Sequence, residues 1–178
     1  MTIHRTIPKR RPQAEISDAA EIQKQIGLAN DLLAQRRRAA ALEFMENLCG
    51  LHPRSAEAWL AWAMMLDGLG RESTAIPIYE RALRLGLQGM PLRDALVCCA
   101  SSYRNVGKLP EAIRMLKRAL RVFSQDAVVK LFLALAYHDV GQSARAMKLV
   151  ALTCLPKLDE KVLSGFRPPL IRKFRALV

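Results

Sequence analysis

Apolar residues recur at a spacing close to 3.6 from about residue 17 to the C-terminus, and no stretch alternates cleanly with period two. The pattern predicts helices throughout and no strands. Three stretches superpose directly: Trp59–Gly70, Leu96–Gly107 and Lys130–Gly141. Each has a small residue seven positions before its glycine (Ala63, Ala100, Ala134) and an alanine five positions after it (Ala75, Ala112, Ala146). The glycines lie 37 and then 34 residues apart, so one structural unit is being repeated.

The physical unit is a helical hairpin. Its first helix stops at the glycine, which adopts the left-handed conformation without a Cβ penalty. A second helix starts two or three residues later. The alanines mark the places where two helices cross too closely for a larger side chain. Each hairpin carries one apolar face more than its own core covers, so hairpins must stack on one another.

This pattern resembles the tetratricopeptide repeat. A unit started at Ala56 places Trp59, Trp62, Ala63, Leu66, Gly70, Ala75, Tyr79 and Ala82 on the family's positions. One started at Arg93 places Leu96, Cys99, Ala100, Tyr103, Gly107, Ala112, Leu116 and Ala119 there. From Ala127 come Leu133, Ala134, Tyr137, Gly141 and Ala146, with departures at Lys130 and Thr153. A weaker unit from Ile22 supplies Leu28, Ala29, Leu32, Ala41, Leu48 and Pro53, with Arg36-Arg37-Arg38 where the glycine turn belongs. The three extra residues around Gly86–Pro91 are similar to a small group of stand-alone bacterial tetratricopeptide proteins, sometimes called group five, of unassigned function. The resemblance implies bacterial origin and no catalysis.

The expected fold is all-α: a right-handed superhelix (α-solenoid) of about four hairpins in residues 17–160. Its units are about 22–55, 56–92, 93–126 and 127–160. A basic flexible arm, 1–16, precedes them, and a C-terminal capping helix, 161–178, follows. Pro77 falls about a turn into a second helix, where it is expected to kink or delay that helix.

The resemblance further implies that a partner lies in the concave groove lined by the first helix of each unit. The groove positions are Ile26, Asn30, Leu60, Met64, Asp67, Val97, Ser101, Arg104, Leu131, Leu135 and His138. Co-chaperone members of the family clamp a peptide carboxylate with Lys and Asn at such positions. Only Asn30 matches here, so that clamp is absent. An apolar lining suits an apolar or amphipathic protein segment, with the polar members setting its register. The chain's own tail competes for the same face, since residues 170, 171, 174, 177 and 178 form one apolar helical stripe. So does a second copy, for which Leu42, Phe44 and Met45 are a candidate surface.

Charge adds an alternative. With 28 Lys and Arg against 16 Asp and Glu, the net charge is +12 and the pI about 10.1. Residues 1–14 and 156–178 each contribute about a third of that excess. The alternative is therefore an electrostatic binder of nucleic acid or anionic membrane acting through basic termini. Aromatic residues make up only 6% and mostly occupy repeat-core positions, which makes nucleic acid unlikely as a partner. Membrane contact is expected at most peripherally, through the basic tail.

Candidate chemistry is sparse. Cys49, Cys98, Cys99 and Cys154 form no CxxC pair, which suggests neither a disulfide framework nor a zinc site. His4, His52 and His138 are isolated, and no catalytic or phosphate-cradling motif occurs. The expectation is a non-enzymatic protein with no cofactor. No leader is visible, and the longest near-apolar runs, Trp59–Leu66 and Leu131–Tyr137, are far too short to span a membrane. A cytoplasmic location is expected.

Overall fold

A computed structural model describes the backbone of residues 12–177 and the side chains of residues 18–177. The bases of the N-terminal arm (Arg5, Lys9, Arg10, Arg11) and Val178 lie outside the described residues.

Ten helices follow one another among the described residues, with no strand. Four hairpins come first: α1 (Pro12–Ala34) with α2 (Arg38–Leu51), α3 (Ala56–Gly68) with α4 (Glu72–Leu85), α5 (Gly89–Asn105) with α6 (Leu109–Val122), and α7 (Ala127–Asp139) with α8 (Ser143–Cys154). A 3-10 turn at Leu155–Lys157 leads to α9 (Glu160–Leu163) and α10 (Arg167–Arg175). Each helix packs on its hairpin mate, and each hairpin on the next, in chain order. That is the stacking of an α-solenoid.

The turn inside each hairpin is the same device four times. Gly70, Gly107 and Gly141 adopt φ of 72°, 77° and 76°. In each case the next residue's N–H donates to the carbonyl five back: Arg71 to Leu66, Lys108 to Tyr103 and Gln142 to Tyr137, at 2.8–2.9 Å. This satisfies carbonyls that the helix end leaves orphaned. In the first hairpin Arg36 occupies the glycine's place and takes the same left-handed conformation, φ 61°, with Arg37 donating to Leu32 at 2.9 Å. The geometry of the turn is held there against the preference of its residue.

Helix starts are also locally encoded. The Ser55 hydroxyl accepts the Ala58 N–H, and the Asp126 carboxylate accepts the Val129 N–H at 3.0 Å, capping α3 and α7. Pro77 lies within α4, and the helix continues through it to Leu85. Pro77 and Ser73, whose carbonyl loses its partner, are both exposed, so the freed carbonyl is open to solvent.

The alanines at the crossings (Ala63, Ala75, Ala82, Ala100, Ala112, Ala119) are buried in one continuous core with Tyr79, Leu96, Cys99, Leu116 and Leu133. A second cluster joins the first hairpin to α3 through Ile22, Ala29, Met45, Leu48, Ala58 and Met65. Met45 is wholly buried there, and Leu42 and Phe44 pack against the same residues. This corrects their reading as a free dimer surface: they hold the first two hairpins together. Beside them Trp59 and Trp62 pack with ring centroids 5.6 Å apart, and Arg81 lies over Trp59 at 5.7 Å.

The Arg36 turn gives a direct test. A left-handed L-residue costs about 1–2 kcal/mol, and glycine gives back part of that through its larger unfolded-state entropy. No atom lies near a Cβ at Gly70, Gly107 or Gly141, so the turns are limited by backbone strain alone. Arg36→Gly is expected to stabilise the protein by about 0.5–1 kcal/mol, raising Tm by roughly 1–4 °C. Gly107→Ala should lower it by a similar amount; thermal unfolding of both variants checks the pair.

Candidate docking site

The first helices α1, α3, α5 and α7 carry the predicted groove residues, and the structure divides them by role. Leu60 and Val97 are core residues, 7% and 4% exposed. Asp67 is half-buried, and its carboxylate accepts the Ser102 hydroxyl at 2.7 Å and the Tyr79 hydroxyl at 3.4 Å. Arg104 is paired with Asp139 of α7. Both pairs join successive first helices and so belong to the stacking of the units. Ile26 and Ser101 are half-buried, while Asn30 and Met64 are exposed.

Leu131, Leu135 and His138 are the three that come together in an open hollow. With Ala134 they form one stripe of α7, facing Ala146, Met147, Val150 and Cys154 of α8. Phe174 of α10 closes one side, and the hollow measures about 750 Å³. Its exposure sets it apart from the equivalent surfaces of the other units. Met147 and Val150 are 54% and 40% exposed, whereas Ile76, at Met147's position in the second unit, is 7%. Leu116 and Tyr79, at Val150's position, are 1% and 0%. Those counterparts are covered by the first helix of the following unit.

No further hairpin follows α8 among the described residues. The tail instead folds α10 against α8 and the 3-10 turn, starting on Pro168 and Pro169 and half-burying Leu170, Ile171 and Phe174. Lys148 of α8 donates to the Leu177 carbonyl at 3.0 Å and ties the tail down. Met147, Val150 and Cys154 were not among the residues singled out from sequence. Their signal was available: α8 repeats the apolar register of α4 and α6, while the residues from 155 to 178 do not repeat the first helix that covers the stripe in the other units.

The remaining chemistry is quiet. Burial pushes the thiols of Cys49 and Cys99 up to about 12. Cys98 is also raised, by burial first and by the nearby Asp67 carboxylate. Tyr79 and Tyr103 are raised by burial, with Asp67 beside the former and Glu80, 2.6 Å from its hydroxyl, beside the latter. Among the described residues no three His, Cys, Asp or Glu side chains gather to hold a metal ion, and no helix is long and apolar enough to cross a membrane.

Two measurements follow. Removing the acceptor shared by two buried hydroxyls, Asp67→Ala is expected to cost about 1–3 kcal/mol in urea unfolding, with Asp67→Asn retaining most of the stability. Thiol labelling of the folded chain at pH 8 should reach Cys154 first and spare Cys49 and Cys99, whose thiolate fraction there is about one in ten thousand. Because the folded thiols ionise later than the unfolded value of 9.0, stability from them is intact below pH 9 and is lost as pH rises above it.

The comparisons with known proteins agree with this architecture. The family model described as Tetratrico peptide repeat matches residues 56–161. No curated protein matches the sequence. The fold is similar to a crystal structure of MamA, at 19% identity and a TM-score of 0.66, covering 84% of this chain and 85% of that one. It is similar to MamA from Desulfovibrio magneticus RS-1, residues 41 to the end, at 14% identity and a TM-score of 0.63, covering 86% and 89%. It is also similar to YrrB, described as a TPR protein with an unusual peptide-binding site, at 18% identity and a TM-score of 0.60, covering 78% and 74%. With the repeat register, the four left-handed turns and the stacked hairpins in place, the chain belongs to the tetratricopeptide repeat family.

Proposed function

We propose that this protein is a non-catalytic docking module that holds an apolar or amphipathic segment of another protein, with the α7–α8 hollow as the principal seat. The observation that carries this reading is the exposure of Met147 and Val150 where the other units bury or half-bury their counterparts. A contiguous apolar surface left open in this way marks an interaction site. Leu131, Leu135 and His138 supply the concave side of the seat. Ile26, Asn30, Met64 and Ser101 extend the groove toward the N-terminal units, while Leu60, Val97, Asp67 and Arg104 hold its shape. The peptide-binding description of YrrB supports the class of ligand.

The electrostatic alternative draws less support. A membrane-surface helix needs its apolar face free, and Leu170, Ile171 and Phe174 are half-buried in the fold.

The test compares capture of proteins from a bacterial lysate by the wild-type chain and by Met147→Glu, at low salt and at about 0.5 M, where exposed charges are screened. A captured set that persists in salt and disappears with Met147→Glu is the expected result. Capture that falls steeply with salt, ignores Met147→Glu and is lost when residues 1–14 and 167–178 are removed would establish the electrostatic reading instead.

A further inference from the structure

The solenoid specifies what fits its open end, because the chain fills the same kind of seat three times. The third, seventh and tenth residues of each unit form the stripe of its first helix that meets the preceding hairpin. In α3 these are Ala58, Trp62 and Met65; in α5, Ala95, Cys99 and Ser102; in α7, Val129, Leu133 and Ala136. All but Trp62 are buried, and Trp62 packs against the same cores. The Ser102 hydroxyl reaches back to Asp67 of α3, confirming the direction this stripe faces. The spacing is i, i+4, i+7, and the side chains are mostly small or aliphatic, as close packing of a helix between two others requires.

The two ends of the stack differ in this respect. In α1 the same positions are Lys24, Leu28 and Asp31, all exposed, which is a polar cap. A second copy stacking head to tail would have to bury that lysine and aspartate in the apolar hollow, at a cost that disfavours it. That argues against a second copy as the occupant.

Charge narrows its chemistry. From Ala127 onward the chain has nine Lys and Arg against three Asp and Glu. All three acids are engaged: Asp139 with Arg104, Glu160 with Arg167, and Asp159 with the Lys161 N–H. Arg172 and Arg175 line a recess with Ile171 on α10, the helix whose Phe174 walls the hollow, and no carboxylate pairs with them among the described residues.

Resting on the docking reading above, we infer that the seat takes a single α-helix from a partner protein, running antiparallel to α8 as the first helix of a further unit would. That helix presents small or aliphatic side chains at i, i+4 and i+7 to Leu131, Met147 and Val150, and Asp or Glu on the flank toward Arg172 and Arg175. Covering the apolar stripe supplies attraction, and the acidic flank sets direction and partner choice.

The probe is a fluorescent synthetic helix of roughly five turns with Val, Leu and Ala at the three stripe positions and Glu along one flank, titrated by anisotropy against the full chain. Binding is expected, weakened at least about tenfold by Met147→Glu or by Val150→Glu. Both residues are substantially exposed, so circular dichroism and Tm of the variants should match wild type; Val150→Ala, with a smaller loss, guards against misfolding. Replacing the flank Glu by Lys should weaken binding, and Arg172→Glu with Arg175→Glu should reverse that preference. Equal affinity for the Glu and Lys peptides overturns the acidic class of partner. A peptide broken by a central proline that binds equally well, and is still lost with Met147→Glu, overturns the helix while leaving the docking reading intact. No peptide binding, together with lysate capture that ignores Met147→Glu, overturns both. A dimer in light scattering that Met147→Glu dissociates makes a second copy the occupant and overturns the proposal.

Discussion

Each hairpin in this chain has a stripe of apolar side chains that its own two helices cannot cover, and the structure is organised by the need to cover it. The first helix of every later unit brings a matching stripe: Ala58 and Met65, then Ala95, Cys99 and Ser102, then Val129, Leu133 and Ala136. Coverage is passed along the stack until it reaches an end. At the N-terminal end the outer stripe is Lys24, Leu28 and Asp31, which water solvates. At the C-terminal end it is Met147 and Val150, which nine residues of α10 flank but do not cover. A repeat stack with one polar end and one apolar end is asymmetric in what it can bind, and that asymmetry follows from packing alone.

Polar contacts on the concave side regulate the same stacking. Asp67 reaches Tyr79 within its own hairpin and Ser102 in the next, and Arg104 reaches Asp139, so two of the three links span successive units. Buried hydroxyls need such acceptors, and the acceptors are thereby drawn out of the groove. Much of the groove's polar inventory in the middle of the chain is committed to the fold, which leaves the terminal unit as the place where the lining is open. The left-handed turns do related work. With the same geometry at Arg36, Gly70, Gly107 and Gly141, each second helix leaves its hairpin in the same direction and presents an equivalent seat.

The fold was legible in the sequence because it is written in local and repeated signals. Alanines at helix crossings, glycines at left-handed turns and a 3.6 spacing each act within one unit, and repetition makes them visible. Even the Arg36 turn was placed by register, despite having the wrong residue for its conformation. The site was less legible because position in a repeat does not state what covers it. Leu60 and Leu131 hold equivalent places in their units, yet Leu60 is buried and Leu131 borders the hollow, since α5 follows the one unit and, among the described residues, only short tail helices follow the other. Asp67 and Arg104 looked like groove contacts because their partners, Ser102 and Asp139, lie one unit away in sequence. Met45 read as surface for the same reason: the helix that buries it belongs to another unit.

Magnitudes indicate what sort of docking the open end supports. Finishing the burial of Met147, Val150 and Leu135, each about half exposed, contributes about 1 kcal/mol apiece at the usual area coefficient. Association itself costs about 4–15 kcal/mol in lost freedom, and a micromolar complex requires a net of about 8 kcal/mol. The hollow therefore cannot hold a featureless apolar segment tightly. A partner must bring its own apolar stripe into the interface, so that both faces leave water together, and must arrive already helical or fold at small entropic cost. Arg172 and Arg175 of α10, which no carboxylate pairs among the described residues, add little to affinity through water, but on the docking reading they speed encounter with an acidic partner and disfavour basic ones. On the docking reading, shallow apolar burial combined with a largely basic surround favours a reversible contact at the α7–α8 hairpin, with the three hairpins before it holding its shape.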